Sequence, residues 1–175
     1  MMENKASLFA PLFITGTYRS GSTLLSQLIN NTPEYYIMYD SFNLMRYCFD
    51  KYGVDGKNID LKKLLDDLTV RALQRWKIKL DQSDIFESLA VYGSEVTYGQ
   101  IFDKIMLSQA FGHGKAVWGE KTTMAWLQVP DFLNMYPDSK AIVIYRDPRA
   151  VLASFKYMTN APGMNYLDAI FNSNA

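Results

Sequence analysis

At 175 residues the chain has the length of one domain, enough to bury a real core. Basic and acidic residues balance at 18 each, which argues against a bulk nucleic-acid binder but leaves room for a local cationic site on an anionic ligand. One cysteine (Cys48) and one histidine (His113) exclude an intrachain disulfide and a Cys/His zinc site, and no metal is expected. No run of about 18 apolar residues marks a membrane span. Met1–Ala10, which carries Glu3, does not read as a secretory signal, so it is expected to be a tail before a cytoplasmic domain over 11–175.

Leu12–Thr15 predicts a short, buried parallel strand. It runs into Gly16-Thr17-Tyr18-Arg19-Ser20-Gly21-Ser22-Thr23, whose glycine spacing fits G-x-x-x-x-G-K-[ST], with Ser22 where the lysine stands in that motif. Ser22–Asn31 predicts the helix that follows, with Leu24, Leu25, Leu28 and Ile29 on its core face and Asn31-Thr32-Pro33 as its stop. Tyr35–Tyr39 predicts a second strand. Phe42–Tyr52 predicts a helix ended by Gly53 and the polar turn Asp55-Gly56-Lys57-Asn58. Asp60 then caps a long helix whose stripe is Leu61, Leu64, Leu65, Leu68, Ala72 and Trp76.

Ser83–Tyr92 predicts another helix. Thr97 and Gln100 form a capping-box pattern that opens a helix to Phe111, closed by Gly112-His113-Gly114. Lys115–Gly119 predicts a third strand, Met124–Tyr136 a helix interrupted at Pro130, and Lys140–Tyr145 a fourth strand. Asp147–Tyr157 predicts a helix with Pro148 in its first turn. Ala161-Pro162-Gly163 breaks the chain before a last helical pattern at Tyr166–Phe171. Strands alternating with helices predict an α/β fold: a P-loop-like parallel sheet flanked by helices, with a helical insertion over about 42–111. That insertion is a candidate lid or acceptor-binding wall.

Three segments carry chemistry. Backbone amides of the first loop point inward and, with the helix N-terminus behind them, bind phosphate oxygens. Thr17, Tyr18, Ser20, Gly21, Ser22 and Thr23 line that loop, and Arg19 gives it a permanent charge. Arg146 stands at the carboxyl end of the fourth strand, where α/β proteins bind ligands, with Ser154 about two helical turns further on. Together they can grip a second phosphate; an ion pair from Arg146 to Asp147 is the alternative. Lys121, in Gly119-Glu120-Lys121-Thr122-Thr123, can neutralise a leaving group or pair with Glu120.

These segments resemble the sulfotransferase family over about Pro11–Phe155. Thr17 to Thr23 is similar to the family's 5′-phosphosulfate loop, and Phe132 through Arg146-Asp147-Pro148-Arg149 and Ser154 to its 3′-phosphate segment. Glu120-Lys121-Thr122 resembles its lysine-bearing strand end. The resemblance implies 3′-phosphoadenosine 5′-phosphosulfate as donor and a hydroxyl or amine acceptor on a small molecule, glycan or lipid. It implies Arg19 and Lys121 as charge stabilisers, and Arg146 and Ser154 on the 3′-phosphate. The histidine that cytosolic members use as base falls at Thr123. Asp40 matches the glutamate of another branch and equally fits a helix N-cap. Family members are longer, so a further C-terminal segment or another chain is expected to complete the fold. A P-loop small-molecule kinase, which would need the loop lysine, and an inactive or truncated nucleotide-binding domain remain the alternatives.

Overall fold

The computed structural model describes residues 10–39, 42–53, 59–93 and 96–156. The expected tail (1–9), Asp40, the turn Asp55-Gly56-Lys57-Asn58, the side chain of Trp76 and the pattern at Tyr166–Phe171 lie outside the described residues. Strands β1 (Leu12–Gly16), β2 (Tyr35–Tyr39), β3 (Val117–Lys121) and β4 (Lys140–Ile144) alternate with helices α1 (Ser22–Asn30), α2 (Leu44–Tyr52), α3 (Leu61–Trp76), α4 (Gln82–Ala90), α5 (Tyr98–Gly112), α6 (Val129–Met135) and α7 (Pro148–Lys156).

The strands form one parallel sheet in the order β2-β3-β1-β4. β1 is buried along its whole length, as befits a central parallel strand, its apolar run Leu12-Phe13-Ile14 followed by a Thr15 whose hydroxyl accepts from the Ala125 amide. Alternation along the strands sends Phe13, Met38 and Trp118 to one face and Leu12, Ile14 and Ile37 to the other. The first face carries the larger core, where α2–α6 close over it and Phe132 stacks on Phe13 at 5.0 Å. The helical insertion thus forms a full layer of the fold. Its caps follow the sequence: Asp60 accepts from the Lys63 amide, and Thr97 and Gln100 complete a capping box.

Three elements depart from expectation. In α1, Leu25 and Ile29 pack on the sheet, but Leu24 and Leu28 are exposed and Ser22 and Ser26 are buried instead. Two small side chains one turn apart let α1 lie close to the strands, and the Ser26 hydroxyl donates to the Ser22 carbonyl at 2.9 Å. β3 starts two residues later than its apolar run suggests. Lys115 turns instead to the α1 terminus, donating to the Asn30 and Thr32 carbonyls, and the Val117 amide bonds Glu34. Pro130 interrupts nothing: it lies in the first turn of α6, after a single 3-10 turn at Trp126–Gln128.

Asp103 of α5 is half-buried and accepts from the Trp118 indole at 2.8 Å. Burial raises its carboxyl above the usual aspartate range, against the pull of hydrogen bonds from Trp118 and Tyr136. The unfolded chain ionises this group at lower pH, so stability from it is lost as pH rises through the folded value. Asp103→Asn, which keeps an acceptor for Trp118, is expected to unfold at higher urea than the parent at neutral pH. The gain should shrink as pH falls toward about 4; a gap unchanged with pH would contradict this.

Candidate active site

The carboxyl ends of the four strands lie along one edge of the sheet. Gly16 pairs with Ile144, and Lys121 pairs with both Ile14 and Tyr39. The loops after β1, β3 and β4 therefore emerge side by side, the arrangement in which open α/β sheets bind ligands.

The loop after β1 depends on its glycines. Gly16 has φ 152°, and a Cβ there would overlap the Ile144 carbonyl oxygen and sit 3.1 Å from Ser20 Oγ. Gly21 caps α1 in the left-handed region at φ 104° and offers no side chain to the first helical amides. Those amides lack partners within the helix and carry the positive end of its dipole. Ser20 Oγ is buried without a hydrogen-bond partner. A buried hydroxyl needs a hydrogen-bond partner, and at a helix N-terminus a ligand oxygen or a water can supply it. Ser22 is buried, Thr17 half-buried, and Tyr18 and Thr23 exposed at the rim.

Arg19 is itself left-handed at φ 63°, which is uncommon for a residue with a side chain. From this position its Nε donates to Ser154 Oγ of α7 at 2.9 Å. Arg146 Nη1 donates to the Arg19 carbonyl at 2.8 Å. The structure thus joins Arg19, Arg146 and Ser154, which lie as much as 135 positions apart in the chain. The alternative pairing of Arg146 with Asp147 is not the one formed. Asp147 instead accepts from the Arg149 amide at 2.9 Å and from its guanidinium at 2.6–3.2 Å, which lowers the Asp147 carboxyl below the usual range.

Lys121 ends β3 and is almost wholly buried, with Nζ donating to Thr123 Oγ1 at 3.3 Å. The chain beyond it stays against β1: the Thr122 amide bonds Ile14, the Met124 amide bonds Gly16, and the Ala125 amide bonds Thr15 Oγ1, each at 3.0 Å. Asn43 was not read from the sequence as part of this region, and Glu120 was read only as a possible partner of Lys121. Glu120 accepts from the Leu44 amide, and Asn43 from the Thr122 hydroxyl, both across long stretches of chain. The E-K-T run carried Glu120 into view, but nothing in the sequence marked the Leu44 amide as its partner.

A family model described as "Sulfotransferase family" matches residues 11–172. The chain belongs to the sulfotransferase family. No curated protein matches it. Among solved structures, sulfotransferase STF9 from Mycobacterium avium is similar at 15% identity and a TM-score of 0.39, over 87% of this chain and 47% of that one. This sulfotransferase-family chain therefore spans less than half the length of that protein. Among its described residues, no helix is long and apolar enough to cross a membrane, and no group of three or more His, Cys, Asp or Glu is placed to hold a metal ion.

The close approach at Gly16 is directly testable. Gly16→Ala is expected to cost about 1–3 kcal/mol, the range for a side chain forced into a sparsely populated backbone region. Urea unfolding measures this, and a parental midpoint would show that β1 and β4 can part without penalty.

Proposed function

We propose that this chain binds 3′-phosphoadenosine 5′-phosphosulfate and takes part in sulfuryl transfer to a hydroxyl or amine of a small molecule, glycan or lipid. The observation that carries the reading is the meeting of Arg19, Arg146 and Ser154. Two phosphate-binding segments distant in sequence touch, as a nucleotide with phosphates at both ends of its ribose requires. The loop suits such a ligand. Its glycines clear the approach, Ser20 Oγ is buried and unbonded, and Arg19 supplies the loop's charge, since Ser22 stands at the lysine position of nucleoside triphosphatases.

In this reading Thr17, Tyr18, Ser20, Gly21, Ser22 and Thr23 hold the 5′-phosphosulfate through loop amides and hydroxyls. Arg146 and Ser154 hold the 3′-phosphate. The donor supplies an activated sulfuryl group. Arg19 and the loop amides neutralise charge on the sulfate oxygens, and Lys121 does so at the departing phosphate. Asp40, which follows Tyr39, the register partner of Lys121, takes the acceptor's proton. Charge is stabilised by groups already in place, and no metal is assigned a part.

Arg19→Ala is expected to lower sulfuryl turnover by on the order of 10²–10³, as loss of one oxyanion donor does. Unchanged turnover in the purified variant would remove Arg19 from the mechanism. Arg146→Ala should weaken adenosine 3′,5′-bisphosphate by roughly tenfold to a hundredfold, the range for a hydrogen bond to a charged group. Adenosine 5′-phosphosulfate, which lacks the 3′-phosphate, should bind the variant and the parent alike. Equal weakening of both would assign Arg146 to support of the loop alone.

A further inference from the structure

A carboxylate sunk in a core is costly unless its oxygens are satisfied. Glu120 is 2% exposed and immediately precedes Lys121 in β3. Both its oxygens accept from one donor 76 residues away, the Leu44 amide, at 2.9 and 3.1 Å. Leu44 opens α2, whose N-cap Asn43 is left-handed and forms no side-chain cap, and whose first turn has no acidic residue. Glu120 supplies both missing functions from another element. It accepts an orphan amide and places negative charge at the positive end of the helix.

The neighbouring positions are held in the same way. The Thr122 hydroxyl donates to Asn43 Oδ1 at 3.3 Å, and Arg71 Nε donates to the Phe42 carbonyl at 2.9 Å. Phe42, Asn43 and Leu44 are thus each tied to a side chain distant in sequence. The helices α3, α4 and α5 are capped locally, by Asp60, Asp81 and Thr97. At α2 the anchor comes instead from the residue beside Lys121. The anchored residues follow β2 in sequence, whose last residue Tyr39 is the register partner of Lys121.

We infer that Glu120 is a positioning residue, fixing Phe42, Asn43 and Leu44 at the start of α2 against the Lys121 end of β3. It thereby sets the acceptor side of the site relative to the donor side. The inference rests on the proposed reading that Lys121 and Asp40 face the reaction. On this view Glu120 governs turnover and leaves nucleotide affinity alone, because the phosphate loop and the Arg146 segment are built on β1 and β4.

Glu120→Ala and Glu120→Gln in the full chain test this; glutamine keeps the volume and an oxygen for the Leu44 amide, and serves where alanine does not fold. Hydrogen exchange across Phe42–Tyr52 should quicken in Glu120→Ala by about tenfold to a hundredfold, the factor for losing a hydrogen bond to a charged group. Glutamine should restore most of that protection, and α5 should be unaffected. Turnover of labelled donor, with para-nitrophenol and water as acceptors, should fall at least about tenfold, with adenosine 3′,5′-bisphosphate affinity kept within about twofold. Unchanged exchange across Phe42–Tyr52, or nucleotide affinity falling in step with turnover, would overturn the inference. A parent chain that binds no bisphosphate would defeat the functional reading itself. A parent that binds it, with Glu120 variants of parental turnover, would defeat only the role of Glu120.

Discussion

The pairing of β1 between β3 and β4 is the constraint on which the site depends. It sets Gly16 against Ile144 and Ile14 against Lys121, so three loops leave the sheet side by side. The approach at Gly16 is tight enough that only glycine fits, and this brings the loop after β1 against the end of β4. Arg19 and Arg146 meet because their strands are neighbours. The core behind them holds that register: Phe13 and Trp118 are locked under Phe132 on one face, and Ile14 and Ile37 under α1 on the other.

Polar groups are buried in numbers along the sheet's carboxyl edge. Thr15, Ser20, Ser22, Glu120, Lys121, Thr122 and Thr123 are all nearly inaccessible. Most have partners that knit strand ends to neighbouring turns, such as Thr15 with the Ala125 amide and Glu120 with the Leu44 amide. Ser20 Oγ stands apart, buried and unbonded where the helix dipole is positive. Among the described residues Gln128 Oε1 and Ser139 Oγ are likewise buried and unbonded, but only Ser20 Oγ lies beside the N-terminus of α1.

Much of this was legible in the sequence, because the signals are local. An apolar run, two spaced glycines and a helix start identified the first loop, and the carboxyl end of an apolar run identified Arg146. Capping residues marked α3 and α5 for the same reason. The misreadings arose where tertiary contacts overrode local pattern. Helical spacing could not show that α1 would turn Ser22 and Ser26 to the sheet and leave Leu24 and Leu28 outside. An apolar window could not follow β3 into Glu120 and Lys121, whose burial depends on partners far along the chain. Glu120 illustrates the limit best: both its oxygens accept from a backbone amide, and a backbone amide leaves no mark in a sequence.

The central claim is that the loop without its lysine, joined to Arg146 and Ser154, is built for a nucleotide carrying a 3′-phosphate. Calorimetric titration of the full chain with adenosine 3′,5′-bisphosphate, and separately with ATP and magnesium, tests it most directly. The account expects saturable binding of the bisphosphate and none of ATP. Binding of ATP with no response to the bisphosphate would contradict it.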